Sequence, residues 1–275
     1  MPEPAFAAAT LPLFADGLVD HVEWSVDVGW GRSGVPDWLE GVLDDYAEQG
    51  LLDAHGVSFS LLSLHPRQEA WLQQLEVELA RRPYRRVSEH LGFMSAGPVL
   101  RSSPLPMPHH PDVVARGVEQ AARIAEVVGA PIGLENLATS LSVRDALDQG
   151  ALLESVLAPG DGWMVLDLHN LHCQAATFGL DAVALLDGYP LERVREVHVS
   201  GGSWWSPEGS QKRVRRDTHD GPVPDEVLDL LPVVLVRCPA LDGVVVERIG
   251  HSLGRDDEAF CADYLRVREL CGRPT

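Results

Sequence analysis

The sequence predicts an α/β fold, a parallel (β/α)8 barrel of the TIM type, on three observations. Short apolar runs alternate with longer amphipathic stretches along the chain. The 275 residues match the length of one such barrel, so residues 1–275 read as a single domain with its site at the C-terminal mouth of the strands. No glycine-rich phosphate loop follows any apolar run, which counts against an open dinucleotide-binding sheet.

The predicted strands are His21–Ser25, Val57–Leu62, Arg86–His90, Ile132–Glu135, Met164–Asp167, Val194–Val199 and Val244–Glu247. An eighth would have to come from the first twenty residues, where Ala5–Thr10 is the candidate, so the barrel is expected to be incomplete at its first strand. Between the runs lie helical patterns. Pro36–Gln49 carries Trp38, Leu39, Val42, Leu43 and Tyr46 at helical spacing, and Asp112–Val128 repeats Val113, Val114, Gly117, Ala121, Ile124, Ala125 and Val128. Gly129-Ala130-Pro131 ends the second of these. Val143–Leu157, Asp181–Leu186 and Pro224–Leu231 read the same way, the last with Pro and Asp in its first turn. Strand–helix alternation of this kind argues for a parallel sheet with helices outside it.

Composition narrows the function. The net charge of −19 repels phosphate backbones and disfavours nucleic acid as a partner. No apolar run approaches the roughly 18 residues of a membrane helix, and the opening Met-Pro-Glu-Pro-Ala has no basic n-region, so a cytoplasmic protein without a membrane partner is expected. Cys173, Cys238, Cys261 and Cys271 form no Cys-x-x-Cys pair, which argues against a disulfide framework and a zinc–thiolate site. Cys173 lies near the residues discussed next and stays a minor candidate nucleophile.

Those residues sit where the strands end. The third run ends in Glu89-His90, the fourth in Glu135-Asn136, the fifth in Asp167-Leu168-His169-Asn170 and the last in Glu247. The sixth carries His198, and Asp217-Thr218-His219-Asp220 follows it. His55 opens the second run and is the weakest member by pattern. In a parallel barrel all strand C-termini meet at one mouth, so these groups converge. A single His or Asp beside a strand end is more often a hydrogen-bonded group than a ligand. Five apolar runs delivering such groups to one rim are hard to explain as packing, because charges are rarely buried unless paired or metal-bound. Histidines and carboxylates without cysteine suit Zn, Mn or Fe, and a central Glu135 can bridge two ions. Asp217 and His219 have the spacing of a ligand pair on one side of an extended segment.

The segments His55-Gly-Val-Ser-Phe-Ser, Val87-Ser-Glu-His90-Leu, Leu134-Glu-Asn136, Leu166-Asp-x-x-Asn170-Leu, Glu196-Val-His198-Val and Asp217-x-His219-Asp220-x-Pro-Val-Pro resemble those of the multinuclear non-haem iron-dependent oxidative enzymes, the family of the methanobactin-biosynthesis oxidase. The resemblance runs in order from about residue 20 to 250. It implies a barrel related to xylose isomerase and endonuclease IV. It implies that His55, His90 and Glu135 hold one iron, Glu135, Asp167, His198 and Glu247 a second, and Asn170, Asp217 and His219 a third. His55, His90, Glu135, Asp167 and His198 are then the catalytic set, with Asn136 and Asp220 orienting the ligands. The implied cofactor is two or three irons of mixed Fe(II)/Fe(III) state with O2 as cosubstrate. The implied reaction is oxidation of a residue, often cysteine, of a ribosomally made precursor peptide, sometimes with a small peptide-recruiting partner protein.

This sequence departs from the family pattern in places. His169 and His172 stand where relatives commonly have Asn and an aromatic residue, and read as solvent-facing loop histidines in preference to groups that alter the third site or gate the substrate. Arg248-Ile249 follow Glu247 where relatives often have Trp-Asp. The loop Gly201–Arg216 carries Trp204 and Trp205, then Lys212, Arg213, Arg215 and Arg216, a set suited to gripping an acidic peptide. Other readings of the same barrel are a metal-dependent phosphodiesterase, opposed by the charge, and a sugar isomerase, weakened because Lys212 is the only lysine. A non-catalytic metal- or peptide-binding barrel is a further one.

Overall fold

In chain order the strands are β1 (Val22–Ser25), β2 (Leu52–Gly56), β3 (Val87–His90), β4 (Phe93–Ala96), β5 (Val99–Leu105), β6 (Gly133–Glu135), β7 (Trp163–Asp167), β8 (Val194–Val199), β9 (Ser203–Trp205), β10 (Val214–Arg216) and β11 (Gly243–Val246). Seven of them form one sheet in the order β1-β2-β3-β6-β7-β8-β11, every neighbouring pair parallel. The sheet curls into a nearly closed barrel. β4 with β5, and β9 with β10, are separate antiparallel pairs. The computed structural model describes residues 3–30, 35–65, 67–96, 99–206, 208–209, 213–253 and 257–274, so Lys212 lies outside the described residues.

The helices are α1 (Pro4–Ala15), α2 (Val26–Gly29), α3 (Asp37–Glu48), α4 (Arg67–Arg81), α5 (Pro111–Val128), α6 (Val143–Leu157), α7 (Leu168–Phe178), α8 (Ala182–Leu186), α9 (Asp225–Leu228), α10 (Leu230–Arg237) and α11 (Asp257–Leu270). Their starts follow local chemistry. The Ser142 hydroxyl accepts from Asp145 N at the head of α6, and His110 accepts from Asp112 N at the head of α5, where Pro111 takes the first helical position. Gly129, at φ 72°, ends α5 in the left-handed conformation that a side chain resists. The helices pack Leu72, Leu75, Ile124, Leu153 and Val156 against Leu134, Met164 and Leu166 of the strands in one continuous core. None of the helices among the described residues is long and apolar enough to cross a membrane.

Two expectations are corrected by the fold. Ala5–Thr10 is not an eighth strand. It lies inside α1, an alanine-rich helix with Pro at its start. α1 buries Ala9 and Leu13 against Leu253 and Phe260, the latter on α11. Helix propensity decides it, since alanine is the best helix former and strands deplete it. No pairing joins β1 to β11 among the described residues, and a cavity of about 410 Å3 bordered by Phe6, Leu13, Trp24, Val244 and Phe260 lies at that seam.

The second strand is Leu52–Gly56, not Val57–Leu62. The Asp27 carboxylate accepts from Val57 N, Ser58 N, the Ser58 hydroxyl and Trp71 Nε1, so the backbone donors after Gly56 are drawn to it. The shift moves His55 from the beginning of a run to the end of a strand.

Candidate metal centre

Glu135 ends β6 and is the hub of the mouth. Its Oε2 lies 3.2 Å from His55 Nε2, 3.2 Å from His90 Nε2 and 3.8 Å from His198 Nδ1. Its Oε1 accepts from Asn170 Nδ2 at 2.9 Å. Two donors bound to one ion at about 2.1 Å stand roughly 3.0–3.4 Å apart, so the spacing of Glu135 from His55 and His90 is that of ligands sharing a cation. Ligand atoms of His55, His90 and Glu135 lie within 4.8 Å of one another, as do those of Glu135, Asp167 and His198. The chain also brings His198 Nδ1 to 3.4 Å and His219 Nε2 to 3.8 Å from Glu247 Oε2, and sets His219 Nε2 2.8 Å from Asp217 Oδ2. His55, His90, Asn170, Asp217, His219 and Glu247 line a cavity of about 800 Å3.

Each side chain is held from behind. The His55 Nδ1 side meets Ser88 Oγ at 2.8 Å, which leaves Nε2 facing Glu135. His90 Nδ1 lies 3.3 Å from Gly56 O. His198 Nε2 lies 3.3 Å from both Glu23 and Glu196, an orientation typical of histidines that bind metal through the other nitrogen. Asp167 caps α7, its Oδ1 accepting from Asn170 N at 2.5 Å, which aims its Oδ2 into the site. Asn136 Nδ2 donates to Asp167 O and Asn136 Oδ1 accepts from Asp167 N. Asp220 accepts from the Thr218 hydroxyl, and that hydroxyl accepts from Ser203 N at 3.0 Å, so Asp220 braces the loop that carries Asp217 and His219.

Asp217 and His219 meet by a different route from the one expected. His219 has φ 50°, the left-handed region, so the segment turns instead of running extended. A side chain held there costs energy and is characteristic of functional sites.

The electrostatics of the mouth favour a cation. Burial pushes Glu135 up to about 8 and Asp167 well above the carboxylate range. Burial pulls His90 down to about 3. Burial also acts against His198 and His219, but Glu23 and Glu247 outweigh it at the first, and Asp217 and Glu247 bring the second up to about 10. Asp167 Oδ2, Asn170 Oδ1 and His198 Nδ1 are buried in the mouth without a hydrogen-bond partner. Orphaned donor atoms, protonated carboxylates and three converging imidazoles fit divalent or trivalent cations of the imidazole–carboxylate class.

Beside the mouth, β9 and β10 form a ribbon within the stretch 201–216. Trp204 and Trp205 are exposed, and the Arg213 guanidinium lies 4.5 Å over the Trp204 ring. Arg215 is not a surface grip for a peptide: it is turned inward and buried, its Nε donating to His169 Nε2. His169 is not a solvent-facing loop residue either. It sits in the first turn of α7, fully buried, and His172 one turn on is half-buried. Cys173 is no nucleophile in waiting, because burial drives its thiol far up.

Sequence reasoning assigns no role to Glu23, Glu196, Ser88 or Ser200, the last of which donates its hydroxyl to Asp217 Oδ1 at 3.2 Å. Glu23 and Glu196 carry a usable signal, since each is a carboxylate inside an apolar strand; the serines carry none.

A sequence-family model described as "RiPP precursor modification enzyme MbnB/TglH/ChrH" matches residues 22–253. A UPF0276 protein of Acaryochloris marina is 29% identical over 214 residues, covering 73% of this chain and 75% of the relative. One of Caulobacter vibrioides is 28% identical over 260 residues, covering 93% and 88%. Among solved structures, a xylose isomerase domain containing protein from Salmonella typhimurium superposes with a TM-score of 0.61 at 14% identity, covering 98% of this chain and 92% of the other. Endonuclease IV from Thermus thermophilus gives 0.56 at 18% identity, covering 96% and 94%. These structural likenesses establish the xylose-isomerase-like barrel and nothing about the reaction.

Proposed function

Because the chain belongs to the MbnB/TglH/ChrH family of enzymes that modify precursors of ribosomally synthesised and post-translationally modified peptides, we propose that it is a multinuclear iron-dependent, O2-using oxidase of a peptide residue, cysteine being the leading candidate. One observation carries the reading: Glu135 Oε2 stands between His55 Nε2 and His90 Nε2 at 3.2 Å from each, with the orphaned Asp167 Oδ2, Asn170 Oδ1 and His198 Nδ1 around it. That set is rich in donors and free of thiolate, and Glu135 has an oxygen for more than one ion.

In this reading His55, His90 and Glu135 hold the first iron, Glu135, Asp167, His198 and Glu247 the second, and Asn170, Asp217 and His219 the third. Bound there, iron supplies electron transfer to O2 and Lewis acidity toward the substrate. The chain's own work is placement. Ser88, Glu23 and Glu196 hold His55 and His198 in their tautomers. Burial raises Glu135 to about 8 and Asp167 well above the carboxylate range, so a bound cation would favour loss of their protons. Trp204 and Arg213 stand beside the mouth, where an acidic peptide segment would lie across them. A small partner protein that recruits the peptide, and a cytoplasmic location, belong to the same proposal.

The test is metal analysis of chain purified without chelator or nickel resin, with Mössbauer spectra of an iron-57 preparation. Two or three irons per chain in mixed ferric and ferrous state support the oxidase. Zinc or manganese filling the sites from iron-rich cells would move the function to hydrolysis or isomerisation.

A further inference from the structure

His169 belongs to none of the three ligand groups, yet it is fully buried and touches one of their members. Its Nδ1 lies 2.9 Å from Asp217 Oδ1, and its Nε2 lies 3.2 Å from Arg215 Nε. A guanidinium donates and never accepts, so Nε2 must be the bare nitrogen and Nδ1 the protonated one. The ring therefore donates to Asp217. The Ser200 hydroxyl donates to the same Oδ1 at 3.2 Å. Asp217 Oδ1 is thus engaged from behind, and Oδ2 is the oxygen presented toward His219 at 2.8 Å.

The other side of His169 leads outward. Arg215 sits on β10 opposite Trp204 on β9, and its guanidinium lies 5.8 Å from the Trp204 ring. At the root of β9, a Cβ on Gly202 would come within 2.7 Å of His169 Cε1, so the ring is packed directly against the ribbon's backbone. One line of contacts joins an exposed tryptophan to a buried carboxylate.

We propose that His169 is a positioning residue that selects which oxygen of Asp217 faces the mouth and, through Arg215, couples that oxygen to the Trp204 ribbon. The proposal rests on the mouth being a metal centre and deepens that reading. It makes the Asp217–His219 position the one whose occupancy responds to the ribbon. A peptide that moves Arg215 loosens or tightens this position alone, because Ser88 holds His55, Gly56 O holds His90, and Glu23 with Glu196 hold His198, from β3, β2, β1 and β8, all outside the ribbon.

The test uses the metal-free full chain titrated with Co2+, following binding by calorimetry and coordination by visible absorption. His169→Asn keeps a donor where Nδ1 stands and loses the acceptor for Arg215. His169→Gln does the reverse, and His169→Phe loses both. The Co2+ equivalent that Asp217→Ala removes, expected to be the weakest-bound, should lose about 10–100-fold in affinity in the Phe and Gln variants and stay near wild type in the Asn variant, with the other equivalents unchanged in all three. An unchanged weakest equivalent in His169→Phe overturns the proposal, as does an equal loss at every equivalent, which marks a packing role. Hydrogen exchange of residues 203–205 reads the coupling. Filling the weakest site should slow it in wild type and not in His169→Asn; the same slowing in both overturns the coupling. A wild-type chain that binds no divalent ion overturns the metal-centre reading itself, whereas wild-type binding with an unaffected Phe variant overturns only the role of His169.

Discussion

Asn136 holds Asp167 by both of its backbone polar groups, accepting from its N at 2.7 Å and donating to its O at 3.0 Å. Asp167 ends β7 and Asn136 follows the end of the neighbouring β6, and the clamp leaves the Asp167 side chain free to cap α7 with one oxygen and face the mouth with the other. Replacing Asn136 by Leu removes both bonds inside a buried site, at about 1–3 kcal/mol for each group left unpaired. We expect a lower melting temperature together with a fall of about 10–100-fold in metal affinity. Thermal melts and Co2+ titration measure the two; a melting change with unaltered affinity would reduce the clamp to a structural one.

The metal-free chain should lose stability as pH rises. Glu23 and Glu135 are raised by burial from about 4.5 to about 7 and about 8, and His219 is raised to about 10. In each case the folded state holds a proton that the unfolded state has released, so stability is full below the unfolded value and is lost as pH climbs through the folded one. His90, pulled down to about 3, acts in the opposite sense up to its unfolded value near 6.5, so the fall in melting temperature of chelator-treated protein should be clearest between about pH 7 and pH 8, and added metal should reverse the trend. A flat or rising profile would contradict the assignment of protonated carboxylates to the metal-free mouth.

Glu135→Gln separates charge from shape. The amide keeps the side chain's size and removes the negative hub, so at least one metal equivalent should be lost. The metal-free variant should melt above wild type at about pH 8, because a buried carboxylate no longer has to ionise. Metal analysis and paired melts at about pH 5 and pH 8 check both halves.

The ribbon should contribute peptide affinity without contributing metal. Trp204→Ala combined with Arg213→Ala removes an exposed ring and the cation stacked on it at 4.5 Å. We expect about tenfold weaker binding of a peptide that the loaded chain modifies, or about 1.4 kcal/mol, at unchanged metal content. Fluorescence anisotropy with the labelled peptide measures it, and equal binding would move the peptide contact elsewhere on the mouth.

Gly202→Ala should distort the ribbon. The added Cβ would come within 2.1 Å of Arg216 O and 2.7 Å of His169 Cε1. Backbone on one side and a buried ring on the other leave no room to relax, so a loss of about 1–3 kcal/mol in denaturant unfolding is expected.

Much of this centre is legible in the chain as written. His90, Glu135, Asp167 and Glu247 stand at or just beyond strand ends, and an ionisable group inside an apolar run is a signal that needs no structure. The same signal marks Glu23 and Glu196, which face His198 Nε2. His55 is harder to place. Its strand lies before the hydrophobic run that follows it in the sequence, because Asp27, from a different element, captures the donors of Val57 and Ser58.

The sequence by itself determined the barrel class and the residue types at its mouth, since hydrophobic period and the cost of burying charge are local to each strand and its end. Only the tertiary structure decided the rest. It made Ala5–Thr10 a helix rather than a closing strand. It turned His169 and Arg215 inward, and it set which nitrogen of His55 and His198 faces Glu135 at the mouth. The ring orientations depend on hydrogen bonds between residues far apart in the chain, such as Ser88 to His55 and Glu23 to His198, and no period or spacing within one segment encodes them.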